Sequence, residues 1–186
     1  MVSEYQLQLN FAKQLNTKQL NTKQLKIETM GLDMYLTKKH YVKNWDHTPE
    51  EKQHTVTVTV GGETPSYIDT SKIKYLEEDA GYWRKANHIH NWFVENVQEG
   101  KDECQEAWVS PRQLEELSGV CKEVLADKSK AEDLLPTARG FFFGGTEYDE
   151  YYFRDIEDTL KFIEPILADM DQGGNLPYDV YYQSSW

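Results

Sequence analysis

The feature that limits this chain most is a repeat. Residues 13–26 read KQLNTKQLNTKQLK, a five-residue unit that puts leucines at Leu15, Leu20 and Leu25. A spacing of five turns each leucine about 140° around a helix, and on a strand it sends successive leucines to opposite faces. Neither geometry makes an apolar stripe, so the segment cannot bury itself as regular structure. A tandem repeat in the coding DNA is its simplest origin. The residues before Met30 also carry four lysines against two acids, in a chain whose net charge is −12. This break, followed by MGLDMYL, sets residues 1–29 apart as a disordered leader or a misassigned upstream translation. Residues 30–186 form the expected single domain, with Met30 as the expected natural start.

Within that domain the apolar period changes twice. Leu32, Met34 and Leu36 alternate with Asp33, Tyr35 and Thr37, which predicts a strand. HTVTVTVGG is the strongest strand signal, with Val56, Val58 and Val60 on one side, Thr55, Thr57 and Thr59 on the other, and Gly61-Gly62 as its turn. SKIKYLEED offers a third strand through Ile73 and Tyr75. Helical spacing is then expected from about Asp79 to Val97, with Tyr82, Ala86, Ile89, Phe93 and Val97 on one stripe.

CQEAWVS reads as a short strand. Ser110-Pro111 is a cap with a first-turn proline, opening a helix whose face is Leu114, Leu117, Cys121 and Val124 or Leu125. ARGFFFGG suggests a strand and turn, and a third helix is entered at Thr146 or Asp149. Pro165 lies inside that helix and predicts a kink or break. YDVYYQSSW reads as a C-terminal strand. The expected fold is α+β: one domain with a mostly antiparallel or mixed sheet packed against about three helices.

Charge excludes some function classes. With 32 acids against 20 bases, the surface repels a phosphate backbone, so direct nucleic-acid binding is not expected. Acidic DNA mimicry is a reading that rests on charge alone. No apolar run is long enough for a membrane span, and the N-terminus lacks the apolar core of a secretory signal. Cys104 and Cys121 are expected as reduced cytoplasmic thiols, Cys121 in the core and Cys104 a poor nucleophile among acids.

The densest chemistry is YWRKANHIHNWF, Tyr82 to Phe93. His88 and His90 would share a face on a strand, but on a helix they point about 200° apart and cannot share a metal. His90 leans inward with Trp83 and Asn87, while Arg84, Asn87, His88 and Asn91 form an outward stripe. His40, His47 and His54 recur every seven residues with no common geometry. The glycines of GFFFGGTEYDE lack a phosphate-loop pattern, and Glu147, Asp149 and Glu150 suit a helix start without any ligand. No metal or cofactor is expected.

Aromatic and polar groups on the first helix, together with Phe142, Tyr148, Tyr151 and Tyr152 near the turn, are what a ligand pocket or partner hot spot uses. The candidate binding residues are Trp83, Arg84, Asn87, His90, Asn91, Tyr148, Asp149 and Tyr152. No GxSxG, HExxH or CxxC is present. An enzyme acting on a nucleotide or similar metabolite would need His90 as acid/base, assisted by Asp149 or Glu150.

From Met30 onward the chain resembles an uncharacterised family of small phage and prophage proteins. The resemblance runs through MGLDMYL, the Tyr82–Phe93 stretch, FFFG with YDEYY, and the terminal YYQSSW. It implies a phage-derived accessory protein expressed in a bacterial cytoplasm, not a virion component, and it carries over no catalytic residue. The expected role is a binding protein that engages a host protein or a small ligand through the first helix and the Gly-Gly turn.

Overall fold

The computed structural model describes residues 31–140 and 143–186. The predicted leader lies outside the described residues, as does Phe142. The described part of the chain is an α+β domain. Its strands are β1 (Asp33–Tyr41), β2 (Tyr75–Arg84), β3 (Ala107–Val109) and β4 (Asp179–Ser185). Its α-helices are α1 (Asn87–Asn96), α2 (Pro111–Ala126), the single turn α3 (Ala131–Leu134) and α4 (Glu150–Ala168). The strands form one antiparallel sheet in the order β2-β1-β4-β3.

Alternation along β1 decides which face is covered. Met34 and Leu36 point inward with Trp83, Val109, Val180 and Tyr182, and all of them are buried. One apolar cluster joins this face to Ile89 and Phe93 of α1, Leu114, Leu117 and Cys121 of α2, and Ile156, Ile163 and Ile166 of α4. Each such side chain contributes about 1.5–3 kcal/mol by leaving water. The other face is open. Tyr35 and Tyr82 pair on it with ring centroids 5.5 Å apart, Tyr41 and Tyr75 at 5.3 Å, and Trp108 is exposed.

The pairing of β1 with β2 slips once. Leu36 opposes Gly81 and Thr37 opposes Asp79, which leaves Ala80 as a bulge. One extra residue reverses the parity of β2 on the far side, so Trp83 and Gly81 face inward before it and Glu78 and Leu76 after it. Gly81 has to be glycine because a Cβ there would sit 2.8 Å from the Phe162 ring of α4.

Local signals set the helix starts. The Ser110 hydroxyl accepts from the Gln113 N–H while the Gln113 side chain accepts from the Ser110 N–H, so α2 opens on a capping box with Pro111 in its first turn. Asp149 caps α4 by accepting from the Tyr151 and Tyr152 N–H groups.

Four expectations need correction. Residues 54–59 form no strand despite their alternation; Val60 makes only an isolated bridge with Glu63. Their side chains stay largely exposed, so no buried face rewards the pattern. The helix expected from Asp79 begins instead at Asn87, because β2 runs on to Arg84 and Lys85 turns the chain with φ 64°. Tyr82 therefore stands on the open sheet face and is not part of a helical stripe. Residues 138–140 are irregular, not strand. Finally, of the kink or break expected at Pro165, the break does not occur: α4 continues to Ala168, since a proline in the last turn costs the helix only one hydrogen bond.

Candidate functional site

The first turn of α1 is built around Asn87, which is almost fully buried. Its Nδ2 donates to the carbonyls of Phe143 (2.9 Å) and Gly145 (2.7 Å), and its Oδ1 accepts from the Ala138 N–H (2.9 Å). One amide thus fastens both ends of the 138–145 segment to the helix and leaves neither of its amide hydrogens free. The same approach explains Gly144, where φ is 88° and a Cβ would fall 2.9 Å from the Lys85 Cβ. Lys85 is held by its N–H, which donates to the Leu32 carbonyl at 2.7 Å.

Between this turn and the start of α4 lies a cleft of about 340 Å³, at the lower end of ligand-sized pockets. Arg84, Lys85 and His88 line one side, and Glu147, Asp149, Tyr151, Tyr152 and Asp155 the other. Gly144, Gly145 and Thr137 close it. Tyr152 is buried and donates its hydroxyl proton to the Leu135 carbonyl at 2.8 Å. Tyr148 packs edge-on against Tyr152 with centroids 5.0 Å apart and accepts from the Thr137 N–H at 3.4 Å.

Two cleft groups are electrostatically unusual. His88 is 3% exposed, with its ring centroid 4.1 Å from that of Tyr152. Among the described residues its Nε2 has no hydrogen-bond partner. Burial lowers its pKa to about 3, against a weaker opposing hydrogen bond with the Tyr152 backbone, so the ring is neutral at pH 7. Asp155 is pushed the other way, up to about 7, first by burial and then by the charges of Asp158 and Asp149. Among the described residues neither Asp155, Asp149 nor Glu147 is ion-paired across the cleft with Lys85 or Arg84.

His90 belongs to a different place. It is 1% exposed; its Nδ1 lies 2.8 Å from the Tyr182 hydroxyl and its Nε2 3.1 Å from Asp102 Oδ2. The carboxylate can only accept, so Nε2 donates to Asp102, and Nδ1 shares its hydrogen bond with the Tyr182 hydroxyl. Asp102 Oδ1 also accepts from the Trp186 indole at 3.1 Å. The network ties α1, β4, the loop before β3 and the chain end together. It brings His90 to neither Asp149 nor Glu150.

The candidate residues therefore divide. Arg84, Asn87, Asp149 and Tyr152 line the cleft, and Tyr148 braces it. Trp83 is core, its indole donating to Thr159 Oγ1 at 2.8 Å. Asn91 is half-buried outside the cleft lining. The outward stripe is corrected, since Asn87 and His88 are both buried.

Sequence reasoning missed Lys85, His88 as an inward group, and Asp155. Asp155 was detectable in principle, because it follows Tyr152 by three on a helix and so shares its face. Among the described residues no group of three or more His, Cys, Asp or Glu side chains could hold a metal ion. No described helix is long and apolar enough to cross a membrane. Burial pushes the Cys121 thiol up to about 12, which suits a packing role. No protein-family model, curated protein or solved structure matches the chain.

Proposed function

We propose that this is a binding protein, a phage-type accessory factor that holds a small polar ligand in the cleft between Arg84–His88 and the start of α4. The observation that supports it most is the cleft itself, about 340 Å³ and lined by Arg84, Lys85 and His88 together with Glu147, Asp149 and Asp155. His88 helps to shape it, with its ring centroid 4.1 Å from that of Tyr152. The flanking tyrosines add planar surface, and the acids and bases among the lining residues add orientation.

The test is a thermal-shift screen of small polar metabolites against the wild type and His88→Phe. At least one compound is expected to raise the wild-type Tm and leave the variant unmoved. A library with no such compound would overturn the reading.

A host-protein partner is the second reading, favoured by the open sheet face with its Tyr35–Tyr82 and Tyr41–Tyr75 pairs. Pull-down from bacterial lysate, with Tyr35→Ser/Tyr82→Ser as control, tests it. A partner retained equally by both proteins counts against that face.

A further inference from the structure

The uncovered face of the sheet changes character along its length. The register of β1 and β2 sets four cross-strand pairs on it, in the order Tyr35–Tyr82, Thr37–Asp79, Lys39–Glu77 and Tyr41–Tyr75. Each end is a pair of neighbouring rings, and all four tyrosines are exposed. Six residues of β1 separate the two ends, about 20 Å at the rise of a strand.

The stretch between them is acidic. Glu77 and Asp79 are exposed, and Asp179 of β4 stands opposite Lys39 on the same face. Lys39 is the one base there among the described residues, and Glu106 already holds it at 2.5 Å. Its ammonium also lies 4.6 Å from the centre of the Tyr181 ring. At the Tyr82 end the charges are matched, since Asp33 accepts from the Tyr82 hydroxyl and lies 3.9 Å from Arg84. The uncompensated charge is therefore in the middle.

This order limits what can cover the face. A purely apolar partner would strip water from the central carboxylates and return nothing to them. A second copy of the chain would set those carboxylates against their own kind. The leader is basic, but leucines recurring every five residues alternate between the two sides of an extended segment.

Resting on the reading of the open face as a partner site, we propose that the partner is a basic protein segment with apolar anchors at both ends. Its Arg or Lys side chains lie over Glu77, Asp79 and Asp179, and its anchors, about 20 Å apart, pack on the two tyrosine pairs. Arginine suits the centre best, because a guanidinium pairs with carboxylates and stacks on tyrosine rings. Trp108, exposed beside Tyr181, extends the aromatic surface toward β3.

The experiment is selection of displayed random sixteen-residue peptides on the full chain, followed by affinity measurement for the enriched pool. Sequencing is expected to show Arg or Lys at the centre and aromatic or aliphatic residues toward both ends. Glu77→Lys/Asp79→Lys and Tyr35→Ser/Tyr82→Ser should each weaken binding of the pool by about tenfold or more. Glu132→Lys/Asp133→Lys makes the same change of charge at exposed positions of α3, and should leave binding within about twofold. Thermal melts establish that the variants are folded, and the acid and tyrosine variants check each other.

A pool without basic centres overturns the inference. So does a basic pool weakened as much by the α3 variant as by Glu77→Lys/Asp79→Lys, which is attraction by net charge alone. The two readings fail separately. A pool that Tyr35→Ser/Tyr82→Ser weakens and Glu77→Lys/Asp79→Lys does not keeps the face as a partner site and removes the basic segment. No enriched pool, or one indifferent to both variants, removes the face as well. A full chain that is dimeric in solution and made monomeric by Tyr35→Ser/Tyr82→Ser gives the face to a second copy, and also overturns the inference.

Discussion

His88 and His90 are separated by one residue on α1, and the chain treats them in opposite ways. Around His90 every polar atom has an answer: Tyr182 for Nδ1, Asp102 for Nε2, and Trp186 for the second oxygen of Asp102. His88 is as deeply buried, yet Nε2 is left without a partner among the described residues, beside a cavity. A satisfied buried network rigidifies a fold, whereas an unsatisfied buried group costs it stability. The pair therefore separates a structural histidine from one whose environment is incomplete. The more conspicuous partner set, a histidine with an aspartate and a tyrosine, belongs to the structural one.

Substitution can break that contrast. The largest effect is expected for His90→Phe, which keeps the ring volume but strands both the Tyr182 hydroxyl and Asp102. Chemical denaturation should report a loss of about 2–4 kcal/mol. Asn87→Ala comes next, at about 2–3 kcal/mol, because three backbone groups of the 138–145 segment lose their partner. Amide exchange within that segment should accelerate even where the global core does not.

Asp155→Asn should act in the opposite direction. Its folded pKa lies above the ordinary carboxylate value of 3.8, so its contribution to stability is fully present below that value and is lost as pH rises through about 7. Removing the charge should stabilise the protein at pH 8 by about 1–2 kcal/mol, after discounting for the solvent that still reaches the group. His88→Phe should be the smallest change, within about 1 kcal/mol of wild type, because it keeps the ring volume and loses only a weak contact with the Tyr152 backbone. A cost comparable to that of His90→Phe would show that the two histidines are not different after all.

A pH series sharpens the same comparison. His88 is depressed from 6.5 to about 3, so stability is intact above 6.5 and lost as pH falls toward 3. Asp155 gains stability over nearly the same window, and the two trends offset each other in the wild type. In Asp155→Asn the offset is gone, and unfolding free energy should fall more steeply between pH 6.5 and 4 than in the wild type. Parallel profiles for the two proteins would contradict the assignment.

Much of the architecture could be read directly from residue order. The alternation of Leu32, Met34 and Leu36, the Ser110-Pro111 cap, the Asp149 helix start and the terminal YDVYYQSS strand all depend on neighbours in sequence. The misreadings depend on partners far away. Thr55 to Val60 alternate as well as any strand in the chain, but alternation forms a ladder only where another edge accepts it. At β2 the bulge at Ala80 reverses parity halfway along, so Leu76, Gly81 and Trp83 no longer share a period of two. The stretch then resembles a helix.

The candidate site was half visible for the same reason. Asn87, Asp149 and Tyr152 adjoin turns that local chemistry marks, and Arg84 belongs to the conspicuous Tyr82–Phe93 stretch. His88 reads as outward from the sequence alone, because the inward direction of α1 is defined by α4 as much as by the sheet. Lys85 enters the cleft through a left-handed φ that its residue type does not advertise.

The bulge at Ala80 carries one more consequence, in the currency of chain length. Residues 36 and 37 of β1 face 81 and 79 of β2, so the ladder on either side is already in step without Ala80. Removing that single residue would convert an interrupted pair into a regular one, leaving Tyr82 and Tyr75 on the open face and Trp83 on the covered one. In a scan of one-residue deletions along β2, position 80 is where the sheet can shorten without exchanging its inside for its outside.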